Sequence, residues 1–265
     1  MIRRCGSAGL AIAMLYAVTS AAWGQDSALR TVHVFVALAD NQHQGIVPVA
    51  AVLGNGEDAK RNLYWGSAYG VKTFFSRSAD WALVSCGEKP KAEILERCVF
   101  MHRASNVYLV ADAYRGIEIR QAILDFLDSA AGDGAETMNL SLPSGGLKLP
   151  IRGGANLVAY IGHDGLMDFQ LSRFPRKKND AHRDAVVLAC ASKQFFAEPV
   201  RASGAYPLLW TTGLMAPEAY TLKSALDGWI EGENNEQIRD RSARAYDKYQ
   251  KCGLRAAHRL MATGW

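Results

Sequence analysis

Two stretches of the chain carry an apolar run into a side chain that can do chemistry. Residues 155–161 (ANLVAYI) lead into Gly162, His163, Asp164 and Gly165, and residues 185–189 (AVVLA) lead into Cys190. A free thiol has a pKa of about 8.5 and is mostly protonated at neutral pH, whereas a neighbouring imidazole takes its proton or, as imidazolium, holds the thiolate. Attack of such a thiolate on a peptide carbonyl gives a thioester. Backbone N–H groups of the glycine turn and of the cysteine are then expected to hold the developing oxyanion, and His163 to protonate the leaving amine. The expected catalytic pair is His163 and Cys190, with Gly162, Asp164 and Gly165 as oxyanion or substrate-positioning residues. Glycine suits positions 162 and 165 if a substrate backbone must approach closely there.

Each residue also has a plainer reading. Cys190 at the end of an apolar run is by default a buried small hydrophobe, or half of a disulfide with Cys252. Asp164 and Asp168 are turn or solvent residues before they are substrate-facing acids. His33, His43, His102, His182 and His258 are scattered, and no pair has zinc-ligand spacing, so no metal site is expected. Gly54-Asn55-Gly56 lacks the third glycine of a dinucleotide loop, and Ser67 lacks the flanking glycines of a serine-hydrolase elbow. No cofactor is expected.

The elements that must position the pair follow from hydrophobic patterning. Residues 32–39 (VHVFVALA) read as a buried strand at the centre of a sheet. Residues 58–75 read as a loop and then a helix. Residues 81–86, 98–102 and 107–114 are strands, the last two joined at 103–106, and residues 117–131 form an amphipathic helix stopped at Gly132. Residues 132–154, rich in Gly, Ser and Pro, are an exposed loop or an edge hairpin. Residues 155–161, 185–189 and 207–211 are strands, and residues 216–231 and 236–261 are two closing helices. Apolar strands alternating with helices predict an α/β fold, a three-layer sandwich around a mostly parallel central sheet. No linker divides residues 25–265, which are expected to form a single domain. Ligands of such sheets bind beyond the carboxyl ends of the strands. If the strands ending at His163 and Cys190 are neighbours, imidazole and thiol emerge about 5 Å apart, one strand spacing.

Four blocks together resemble a known family: VHVFVALAD, LVAYIGHDG, AVVLACAS and PLLWTTGLMAPEAY, over roughly residues 32–222. A hydrophobic strand ending in a histidine turn, followed by one ending in Ala-Cys, is similar to the caspase, legumain and gingipain clan of cysteine peptidases. The resemblance implies the caspase-haemoglobinase fold in a divergent, exported, bacterial-type member. By the same resemblance His163 is the general base and Cys190 the nucleophile, a dyad without a third member. Where the clan usually has glycine directly after the histidine, this chain has Asp164. That departure supplies the alternative expectation, a catalytically inactive peptidase-like binding or interaction domain.

Composition agrees with an enzyme-sized globule. The chain has 265 residues, 49% of them hydrophobic and 9% aromatic, which excludes wholesale disorder. Its net charge of +4 arises from 30 basic against 26 acidic residues without a long basic block, so nucleic acid is not an expected partner. The expected partner is a peptide or protein substrate. Arg3 and Arg4, the apolar stretch at residues 9–18 and Ala22-Trp23-Gly24 read as a signal peptide covering residues 1–24. The mature chain is therefore expected to be periplasmic or secreted, without an integral membrane segment. In that compartment Cys86 and Cys98 are expected to form a disulfide. Cys190 and Cys252 remain either paired or free, and the sequence leaves the oligomeric state open.

Overall fold

The computed structural model describes residues 28–143 and 145–265, so the stretch read as a signal peptide lies outside the described residues. RTVHVFVA, rich in β-branched residues, forms β1 (Arg30–Ala37) and is buried along almost its whole length. A run of turns then leads into the short helix α1 (Val71–Ser76). The next strands are β2 (Trp81–Lys91) and β3 (Ile94–His102), a longer hairpin than the patterning predicts, and β4 (Val107–Tyr114). After a 3-10 turn comes α2 (Ile119–Ala130). The Gly-rich segment that follows is a hairpin, β5 (Glu136–Leu142) and β6 (Gly145–Ile151), which forms a two-stranded sheet of its own. The remaining elements are β7 (Leu157–Ile161), β8 (Asp184–Leu188), α3 (Ser192–Ser203), β9 (Tyr206–Thr211), α4 (Ala219–Glu231), α5 (Asn235–Gln250), α6 (Leu254–Leu260) and β10 (Met261–Ala262). The second closing helix expected from the pattern is thus two helices. The chain breaks at Lys251, whose left-handed conformation caps α5, and Gly253, also with positive φ, opens α6.

The main sheet has eight strands in the order β10-β9-β8-β7-β1-β4-β3-β2. Its centre, from β4 through β1, β7 and β8 to β9, is parallel, and antiparallel strands flank it on both sides. Helices cover both faces. Val32, Val34 and Val36 pack with α1, α4 and α5, while Phe35 and Ala37 pack with α2 and α3. This architecture is α/β and compatible with a three-layer sandwich. The β5–β6 hairpin covers β3 and β4 through Leu140, Leu149 and Ile151 against Val99, Tyr108 and Val110.

The buried charged cluster at the centre of the sheet is paired, as charges removed from water must be, whereas the indole N–H groups of Trp81 and Trp210 have no hydrogen-bond partner among the described residues. His33, fully buried in β1, contacts Asp112 Oδ2 at 3.1 Å through Nε2, and its Nδ1 accepts from the backbone N–H of Arg152 at 2.9 Å. Arg97 completes the cluster through two bonds to the same Asp112 carboxylate. At the far edge, Cys86 and Cys98 face each other across the β2–β3 ladder and are joined by a disulfide. Cys190 and Cys252 are free thiols. Among the described residues, no helix is long and apolar enough to cross a membrane.

Candidate functional site

Chain order changes direction at β1: β4 lies on one side, and β7, β8 and β9 follow on the other. The crevice beyond the carboxyl ends at such a switch point is where open parallel sheets bind ligands. A cavity of about 410 Å³ lies there. The loop after β1 contributes Ile46, the turn after β7 contributes Gly162 and His163, the end of β8 contributes Cys190, and the segment after β9 contributes Met215 and Glu218. Tyr64 and Gln250 close its walls.

The sheet register brings the expected pair to this rim. β7 and β8 are parallel neighbours, with Ile161 opposite Leu188 as their last matched position. His163 and Cys190 each lie two residues beyond that match, and both line the cavity. Among the described residues, no hydrogen bond links imidazole to thiol. The His163 Nε2 bonds Asp168 Oδ2 at 2.7 Å, and the Cys190 sulfur accepts from Met215 N at 3.4 Å and faces Met215 O at 3.6 Å. His163 is 8% exposed. The bond to Asp168 fixes its ring through Nε2 and leaves Nδ1 without a hydrogen bond among the described residues.

Local chemistry explains each position. Gly162 ends β7 with φ 156°, and a Cβ there would meet the Ala37 carbonyl oxygen at 3.0 Å and its methyl at 3.1 Å. A Cβ at Gly165 would strike the Phe169 ring at 2.7 Å. The close approach that requires glycine is therefore to the protein's own β1 and Phe169. The Gly165 N–H donates to the His163 carbonyl at 3.0 Å, which Tyr160 Oη also bonds at 2.7 Å. Asp164 caps the one-turn 3-10 helix Gly165–Met167 by accepting from Leu166 N at 3.0 Å. Neither Asp164 nor Gly165 lines the cavity. The Asp164 carboxyl is fully buried, and its second oxygen has no partner among the described residues. Burial, reinforced by the charge of Asp168, pushes its pKa up to about 7 against the opposing effect of the Leu166 N–H.

Cys190 sits on a strand-to-helix turn held from below. Ala191, directly after it, is left-handed at φ 49°, a conformation costly for a residue with a side chain. Its N–H donates to Gly213 O at 2.8 Å. The buried hydroxyl of Ser192 donates to Val187 O at 2.8 Å, and Thr211 Oγ1 bonds the Ala189 carbonyl. The Thr211 N–H donates to Ser192 Oγ at 2.9 Å and the Ser192 N–H to Thr211 Oγ1 at 3.3 Å, tying β8, the start of α3 and β9 together.

Three contributors are absent from the sequence reading of the pair. Asp168, weighed there as a turn residue or a substrate-facing acid, contacts the imidazole, and Gly45 N, from the loop after β1, donates to the same Asp168 oxygen at 3.1 Å. Tyr64 is held against the end of β1 by Asn62, whose side chain bonds both Ala39 N and Ala39 O as well as Tyr64 N. Burial and the neighbouring Cys190 and Glu218 charges push the Tyr64 hydroxyl well above the usual phenol range. Glu218 is 8% exposed, and burial raises its carboxyl too. A comparison of the chain with protein-family models, with curated proteins and with solved structures finds no match.

Proposed function

We propose that the protein is an exported cysteine peptidase of the caspase-haemoglobinase type, hydrolysing peptide bonds through His163 and Cys190. The observation that carries this reading is the placement of an imidazole and a free thiol on one cavity, at matched positions past two adjacent parallel strands. His163, with Nε2 turned to Asp168, accepts the thiol proton at Nδ1. The sulfur bonds to the carbonyl carbon of the substrate; the N–H groups of Gly162 and Gly165 are engaged with Leu188 O and His163 O, and the Met215 N–H, now on the sulfur, is the rim donor nearest to the developing charge on oxygen. As the C–N bond breaks, the proton on His163 passes to the amine. Water, deprotonated by the same ring, then releases the acid from the thioester and restores the thiol. The Cys86–Cys98 disulfide supports a periplasmic or secreted location.

Iodoacetamide labelling in a Cys252→Ser background tests the dyad. Cys190 is expected to label fast in the native protein and slowly in His163→Ala. Equal, slow labelling of both proteins overturns the peptidase reading. It would leave the second one, a peptidase-like binding domain without catalysis, which is favoured by the thiol's engagement with the Met215 backbone in place of the imidazole.

A further inference from the structure

Among the described residues, every buried carboxylate but two contacts a basic side chain, arginine or histidine. Asp112 has Arg97 and His33, Asp125 has Arg152, Asp184 has His182 and Asp40 has His43. Glu218 and Asp164 form no ion pair among the described residues. Asp164 is sealed away from solvent and outside the cavity wall, whereas Glu218 is part of that wall beside Cys190. The two hydrogen bonds to the Glu218 carboxylate come from neutral donors, Tyr220 Oη at 2.9 Å and Gln250 Nε2 at 3.1 Å, and both go to Oε2. A carboxylate held in a half-apolar enclosure without a counter-charge is costly, and a cationic ligand relieves that cost.

We infer that the cavity beside Cys190 is a subsite for the cationic side chain of an arginine or lysine in the substrate, with Glu218 as its counter-ion. This rests on the peptide-cleaving reading above. The walls fit such a side chain along its length: Ile46, Leu63 and Met215 flank the aliphatic stem, as apolar surfaces do for long basic residues, and Glu218 receives the charged head. Tyr64 lines the same cavity as Cys190 and Glu218, so the counter-ion and the nucleophile border one enclosure. Tyr220 and Gln250 hold Oε2 and leave Oε1 for the ligand.

The test uses fluorogenic peptides that differ only in the residue before the scissile bond: Arg, Lys, Leu or Asp. Arg and Lys peptides are expected to exceed the Leu peptide in kcat/KM by roughly 10–100-fold, the factor for one hydrogen-bonded charge contact. In Glu218→Gln, which keeps an acceptor for Tyr220 and Gln250, the Arg-to-Leu ratio is expected to collapse by the same factor. An unchanged ratio, or no basic preference in the wild type, overturns the subsite. If no peptide is cleaved, the peptidase reading fails and the subsite is judged by binding alone. Calorimetric affinity for benzamidine that is lost in Glu218→Gln supports it, and equal affinity or no binding by the wild type overturns it. Should the variant not fold, the wild type decides. Protection of Cys190 from iodoacetamide, located by mass spectrometry, is expected with benzamidine and not with neutral benzamide; equal protection, or none by either, overturns the proposal.

Discussion

The His163 imidazole is clamped by Asp168, five residues further along the chain, at 2.7 Å between Nε2 and Oδ2. One turn of 3-10 helix between them folds the carboxylate back onto the ring. Because the Asp168 side chain is 41% exposed, solvent screens the pair, and its contribution to holding the ring is about 1 kcal/mol. Asp168→Asn is therefore expected to slow alkylation of Cys190 by roughly fivefold, read from the rate of iodoacetamide incorporation. An unchanged rate would mean that the imidazole is oriented without it.

A second prediction concerns Asp164. Its folded pKa of about 7 lies above that of an unfolded aspartate, about 3.9. Between those values the folded chain keeps a proton that the unfolded chain releases, so the stabilisation is full below about 4 and is lost as pH rises through about 7. Between pH 5 and pH 8 that loss is on the order of 2–3 kcal/mol. Asp164→Asn stays neutral and is expected to lack this part of the pH dependence, so that it gains on the wild type at pH 8. Urea denaturation of both proteins at the two pH values measures the difference; parallel curves would count against the assignment.

Thr211 supports the Cys190 turn from the neighbouring strand. Thr211→Val keeps the shape but leaves the Ala189 carbonyl and the Ser192 backbone N–H short of a partner. The expected cost is about 1–3 kcal/mol in unfolding free energy, the penalty for stranding buried polar groups. Slower labelling of Cys190 in the folded variant is expected alongside it. Stability at the wild-type level would show that the turn holds itself.

The disulfide lies on the opposite side of the sheet from the thiol. Closing a loop of sequence separation 12 restricts the unfolded chain by about 3 kcal/mol. Replacing both Cys86 and Cys98 with Ser is expected to lower the melting temperature without changing the alkylation rate of Cys190. Loss of reactivity in a variant that remains folded would contradict this separation of roles.

The backbone of this arrangement was readable from short apolar runs. ANLVAYI and AVVLA are buried strands because β-branched and apolar residues there have no polar face to turn outward, and their lengths place His163 and Cys190 in register. The remaining contributors depend on contacts that local pattern does not encode. Asp168 follows Gly165 in a segment that reads as an ordinary turn, and only the 3-10 turn brings it back to the ring. Glu218 lies in irregular chain after β9, and its enclosure is built by Tyr64 and Gln250, which are far from it in sequence. The break at Lys251 was hidden because apolar residues on both sides keep an approximate helical spacing. The glycines at 162 and 165 were legible as necessary, but the neighbours that demand them come from β1, from α2 and from Phe169.

β9 would be the last parallel strand of the sheet, with one row of its backbone groups unpaired. Instead Met261 and Ala262 pair with Thr211 and Trp210, Gly264 N donates to Pro207 O, and Arg239 grips the Met261 carbonyl. The ring of Trp265 rests against Trp210. This short return acts as a stopper against sheet extension, because a strand from another molecule must first strip it away. Removing residues 261–265 is expected to turn that side into an adhesive margin, with self-association that grows with protein concentration in light scattering.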